Sequence, residues 1–189
     1  LDHLDLLLLH RPDYLMDPAA VAGVFSRLRD SGKVRGFGVS NFRPGQADLL
    51  QRACPFPLLV HQVEISLCQR QALDDGTLDQ CLAAGWVPQA WSPLARGLLP
   101  SGRAAGMDPA DAPRWAALAA ELERLAAAHG VEPAAIALAW LRRHPAGIQP
   151  VVGTVQPGRI RSLARVTGVE LSPEEWYGLL TTARGGRLP

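Results

Sequence analysis

Five short apolar runs in this chain end in residues that can do chemistry. Residues 4–9 run into His10, and 34–39 run into Ser40-Asn41-Phe42. The run from 58 carries Gln62 and Glu64, the run from 86 ends in Trp91-Ser92, and the run from 147 ends in Gly153-Thr154. This set suits the holding of an uncharged planar ring. Asn41 and Gln62 each offer one acceptor and two donors, enough to bind both ends of a carboxamide. The Trp91 indole can stack on a ring face. The segment GTVQPGRI then leads into a helix whose free backbone N–H groups suit a phosphate. Arg159, in the first turn of that helix, can grip a second phosphate bidentately. Each residue alone has a plainer alternative: His10 as a strand cap, Trp91 as a core aromatic, Arg159 as a solvated charge. Five polar strand ends in register favour a shared ligand site.

Those side chains need a frame, and the frame is legible. Strands are expected at 4–9, 34–39, 58–65, 86–92 and 147–154. The first reads as a strand covered on both faces. Asp17-Pro18 opens a helix with Val21, Val24, Phe25 and Leu28 on one side. Pro44 starts a shorter helix with Leu49 and Leu50 facing inward, and residues 73–85 read as one helix ended by Gly85. A loop rich in Gly, Pro and Ser covers 93–112, a length typical of lids and binding loops. Helices follow at 113–130, from Pro133 to before Pro145, around 159–166 and after Ser172-Pro173. Strands alternating with crossover helices mean an α/β fold with a parallel sheet and outer helices. Two architectures fit: a doubly wound open sheet, or part of a (β/α)8 TIM barrel. No GxGxxG follows a strand, so a Rossmann nucleotide site lacks support.

Composition narrows the function classes. The 189 residues are 48% hydrophobic and 20% charged, with 19 basic residues against 18 acidic ones. That balance gives no argument for nucleic acid or for a membrane surface as partner. Cys54, Cys68 and Cys81 lack metal-ligand spacing and read as reduced thiols, which points to the cytoplasm and to no metal. No apolar run approaches the roughly 18 residues of a membrane span. The first residue is Leu, immediately before a strand, so a segment upstream is expected.

The segments DLLLLHRPD, GKVRGFGVSNF, HQVEISL, QAWSPLARGLL and PVVGTVQPGRI resemble successive strand-end motifs of the aldo-keto reductase superfamily. The likeness runs in order over nearly the whole chain. It implies a (β/α)8 barrel, NADP(H) extended across its rim, and hydride transfer to the carbonyl of a small aldehyde or ketone. By this resemblance His10 is the substrate-orienting histidine. Ser40, Asn41 and Gln62 are the nicotinamide-carboxamide ligands, and Trp91 is the stacking aromatic. Ser92, Leu94, Arg96 and Gly97 lie on the pyrophosphate side. Gly153, Thr154, Val155 and Arg159 form the adenosine-phosphate site that favours NADPH. Two positions depart from the pattern: His61 stands where an asparagine is common, and TVQP is a loose version of the phosphate loop.

The resemblance aligns residues 4–9 with the fourth barrel strand. The expectation is therefore a single domain over 1–189 holding about five of eight strands, without the first three βα units. Those units would bring an aspartate, a tyrosine acid and a lysine, so the chain alone is expected to be inactive. Reduction needs such an acid, because hydride arriving at carbon leaves an alkoxide to be protonated. Lys33 is the only lysine, and Tyr14 and Tyr177 are poor substitutes. The alternatives are a non-catalytic NADP(H)-binding or regulatory module, and two copies that pair their open sheet edges.

Overall fold

The structure, a computed structural model, describes residues 2–101 and 108–186. In chain order the elements are β1 (Leu4–Leu9), α1 (Pro18–Asp30), β2 (Val34–Ser40), α2 (Pro44–Ala53), β3 (Val60–Glu64), α3 (Gln71–Asp74) and α4 (Thr77–Ala84). There follow β4 (Val87–Trp91), α5 (Leu98–Ser101), α6 (Ala112–His129), α7 (Pro133–Arg142), β5 (Gln149–Val151), α8 (Pro157–Ala164) and α9 (Pro173–Arg184). The strands form one five-stranded parallel sheet in the order β1-β2-β3-β4-β5. This is an α/β fold with the strand order of a partial (β/α)8 barrel, as the sequence leads one to expect. Residues through Val63 with Gln71–Gln89 make one compact unit; Glu64–Arg70 with the residues from Ala90 onward make a second.

The first unit is built on β2. Its register sets Leu8 beside Gly38 on one side and Gly38 beside Val60 on the other. A Cβ on Gly38 would lie 2.4 Å from the Val60 carbonyl oxygen and 2.5 Å from a Leu8 methyl, so only glycine lets the three strands close up. Phe37 points the opposite way, stacking on Phe25 of α1 at 4.2 Å and on Phe56 at 5.5 Å. Asp17 starts α1 by accepting the Ala19 N–H at 2.9 Å, and Pro18 occupies the first turn. In α2, Gln46 Oε1 accepts the Arg43 N–H at 2.9 Å.

Several local expectations need correction. In α1 the buried residues are Ala22 and Phe25 while Val24 is exposed; in α2 they are Ala47 and Leu50 while Leu49 is exposed. Val21, Phe25, Leu28 and Leu50 do pack on the core as expected; Val24 and Leu49 are the members that face outward, their places taken by Ala22 and Ala47. β1 is exposed to half-buried along its length rather than covered on both faces, since β2 is its one partner in the sheet. The helix expected at 73–85 is two helices. The Asp75 carboxylate accepts the Thr77 N–H at 2.9 Å and Gly76 adopts φ +85°, a turn that the preceding helix cannot cross.

In the second unit α7 is buried from Ala134 to Leu141, the pattern of a helix surrounded by protein. Leu118, Leu122 and Leu125 of α6 and Leu179 and Leu180 of α9 complete its core. Trp140 and Trp176 stack at 5.3 Å, and each indole N–H donates to the other's backbone carbonyl, at 3.2 and 2.9 Å. Ser172 caps α9 reciprocally with Glu175. β5 is three residues long, so 152–154 belong to the loop beyond it. The segment 93–112 is less irregular than expected: it holds 3-10 turns at Ala95–Gly97 and Pro109–Asp111 and the short α5. Its residues 102–107, like Leu1, lie outside the described residues.

Candidate functional site

The carboxyl ends of β1, β2 and β3 are tied together by Asn41. Its backbone N–H donates to the Gln62 carbonyl at 2.9 Å. Its side-chain Nδ2 donates to the His10 carbonyl at 3.0 Å and to Ser40 Oγ at 2.9 Å. Both amide hydrogens are thus engaged within the protein. Asn41 reaches this position with φ +61°, a left-handed conformation that asparagine tolerates better than most residues. Ser40 is buried, Asn41 and Gln62 are half-buried, and His10 is exposed at the strand mouth. Gln62 Nε2 donates to Gln89 Oε1 at 2.8 Å. Four expected site residues, His10, Ser40, Asn41 and Gln62, therefore sit at adjoining strand ends.

Behind this network lies His61, fully buried on the opposite face of β3 from Gln62. Its ring meets the edge of Trp86 at 6.5 Å, and neither ring nitrogen reaches a hydrogen-bond partner among the described residues. Burial pushes its pKa down to about 4, only partly offset by the facing Phe42 carbonyl and the charge of Asp75. A neutral imidazole of this kind is packing, and it follows from placing histidine inside the layer between sheet and helices.

The second unit contains an open cavity of about 780 Å³, a size suited to a small-molecule ligand. Ser92, Leu94, Arg96 and Gly97 line one part of it, and Gly153, Thr154, Val155 and Arg159 another. All eight residues expected on the phosphate side thus share one cavity. Trp91, half-buried at the end of β4, is not among its lining residues. Thr154 Oγ1 accepts the Gln156 N–H at 3.3 Å and shapes the loop that enters α8. Arg159 follows Pro157 in the first turn of α8, where N–H groups lack helical partners. The side chains of Arg96 and Arg159 make no hydrogen bond or ion pair among the described residues.

Backbone strain gathers at these positions. The four non-glycine residues with positive φ among the described residues are Asn41, Ser92, Ala95 and Arg96. Three of them are expected site residues. Holding each costs about 1–3 kcal/mol, and such positions concentrate at functional sites. Gly97 continues the left-handed run at φ +86°, so a side chain there would be strained whatever the space.

Two residues escaped the sequence reading. Gln89 lies in β4 between apolar neighbours, where only the alternation shared with Trp91 marks its face. Glu132 lines the cavity but precedes Pro133, and so reads simply as the entry to α7. The cysteines are unpaired thiols; burial raises Cys68 to about 11 and Cys81 to about 12, which makes both poor nucleophiles. No helix among the described residues is long and apolar enough to cross a membrane.

The sequence and the architecture have counterparts among known proteins. The Aldo/keto reductase family model matches residues 1–179. A 6-dehydroglucose reductase of Novosphingobium aromaticivorans is 40% identical over 188 residues, covering 100% of this chain and 59% of that protein. One from Agrobacterium fabrum is 41% identical over 184 residues, 97% of this chain and 58% of that protein. The chain therefore spans a little under three-fifths of the length of these relatives. Among solved structures, the thermostable aldo-keto reductase Tm1743, crystallised with the inhibitor epalrestat, superposes with a TM-score of 0.83 at 26% identity. That match covers 96% of this chain and 60% of Tm1743.

Proposed function

The chain belongs to the aldo/keto reductase family, and from that premise we propose that its protein is an NADP(H)-dependent oxidoreductase reducing a small aldehyde or ketone to an alcohol. The observation that carries the cofactor reading is the cavity with two guanidiniums on its wall, Arg96 and Arg159, that pair with no side chain among the described residues. Such arginines beside the first turn of α8 suit the phosphates of a dinucleotide. Within the first unit, the strand-end group of Ser40, Asn41 and Gln62 suits a carboxamide; within the second, the Trp91 indole suits the face of a planar ring. When bound, the cofactor supplies the hydride.

His10 is exposed at the mouth of β1, where its imidazole can orient a carbonyl by hydrogen bonding. Lys33 adjoins the opposite, amino end of β2, and Tyr14 and Tyr177 are exposed. We therefore assign the proton donor to a part of the protein outside these 189 residues, within one reductase domain to which this chain belongs. Two relatives are 6-dehydroglucose reductases by name; we extend to this protein a carbonyl-bearing sugar as substrate class. The unpaired thiols fit a cytoplasmic setting.

The test is consumption of NADPH by the natural full-length protein with 6-dehydroglucose and a panel of aldehydes. Turnover is expected with at least one, Arg159→Ala raising the KM for NADPH about tenfold and His10→Ala lowering kcat. NADPH binding without turnover of any carbonyl would favour a second reading, a non-catalytic cofactor-binding module. Absence of both binding and turnover would remove both readings.

A further inference from the structure

The cavity wall carries a third charge that phosphate binding does not call for. Glu132 lines it together with Arg96 and Arg159. Although Glu132 holds the N-cap position of α7, its side chain makes no capping hydrogen bond. It forms no hydrogen bond or ion pair with either arginine or with any other described residue. Two cations and one anion therefore share one cavity with no ion pair among them or to other described residues. A ligand that satisfies all three must present anionic oxygens to the guanidiniums and hydrogen-bond donors to the carboxylate. A nucleotide does this, with phosphates for the arginines and ribose hydroxyls for the glutamate.

We propose that Glu132 is a specificity-determining residue of this cavity: it accepts from a free ribose hydroxyl, opposes a 2′-phosphate, and so holds the preference for NADPH over NADH in check. The chemistry is general, since carboxylates select unphosphorylated ribose in dinucleotide sites and arginines accommodate the 2′-phosphate. With charges of both signs present, the site is built to take both nucleotides, neither to the exclusion of the other. The inference rests on the cofactor reading given above.

The test is direct binding of NADPH and NADH to the natural full-length protein by isothermal titration, in the wild type and in Glu132→Gln. The variant is nearly isosteric and removes no cap. It should tighten NADPH and weaken NADH, moving the ratio of their dissociation constants by about tenfold or more. Glu123→Gln, which makes the same charge change on the exposed surface of α6 outside the cavity, should leave the ratio unchanged. An unchanged ratio in Glu132→Gln, or equal tightening of both nucleotides, would overturn the assignment. If Arg159→Ala still weakens both, the cofactor reading survives that failure. Binding of neither nucleotide by the wild type would overturn both.

Discussion

Asn41 does several jobs with one amide. It links the ends of β1, β2 and β3 through three hydrogen bonds, and does so in a left-handed conformation. The two demands can be separated by substitution. Asn41→Gly keeps the conformational freedom and loses both side-chain bonds, at a cost of about 1–2 kcal/mol. Asn41→Ala loses the same bonds and adds the left-handed penalty of a Cβ, about 1–2 kcal/mol more. Thermal unfolding should therefore rank wild type above Asn41→Gly and that variant above Asn41→Ala. An alanine variant as stable as the glycine variant would show that the turn relaxes and that φ is not imposed by the strand ends. The same residue explains a limit of sequence reading. Its type and place announce a polar site, but the consumption of both amide hydrogens by neighbouring strand ends is a consequence of register. Gln89 and Glu132 were hidden for related reasons. A glutamine inside a short apolar strand and a glutamate before a helix-initiating proline have ordinary local explanations, and only the lining of a network or cavity gives them another.

At the scale of elements, the close approach of β1, β2 and β3 depends on the absence of a side chain at Gly38. Gly38→Ala places a methyl against a backbone oxygen at 2.4 Å, which cannot swing away as a side-chain tip could. The strands must separate, and a loss of about 3 kcal/mol or more is expected, or failure to accumulate folded protein. Gly45, in the first turn of α2, has nothing within 4 Å of its would-be Cβ and is exposed. Gly45→Ala should be neutral or stabilising by about 0.5 kcal/mol. Comparable loss in both variants, read by urea unfolding, would refute the packing argument. The alternation of strands and helices was legible because apolar runs are bounded by Gly, Pro and capping residues such as Asp17 and Ser172. What escaped was set between elements: the outward placing of Val24 and Leu49 at the margins of their helix faces, and the single-partner environment of β1. The break at Asp75-Gly76 had a local signal in the sequence, an Asx-turn residue followed by glycine, which the helical pattern on both sides outweighed.

The stability of the whole molecule should carry the imprint of one buried side chain. His61 titrates at about 4 in the folded protein against about 6.5 when exposed, because burial penalises its charged form. Between these values the unfolded chain binds a proton that the folded chain refuses, so stability rises with pH across that window. The contribution is fully present above about pH 6.5, falls away as the pH drops toward 4, and amounts to about 3 kcal/mol in all. Glu121, Glu174 and Glu175 have depressed pKa values, from hydrogen bonds to Arg124, to backbone at the α9 cap and to Ser172 respectively. Their stabilisation is present above the ordinary carboxylate range and is lost only as the pH falls through their lower folded values, so it acts mainly below the histidine window. The urea midpoint of the natural protein should thus decline from pH 7 to pH 5, before those carboxylates protonate. His61→Leu removes the titrating group, and whatever it does to absolute stability it should flatten that decline. Equal slopes in wild type and variant would mean that the ring finds a partner or water on protonation, and that the layer between β3 and Trp86 opens more readily than its burial implies.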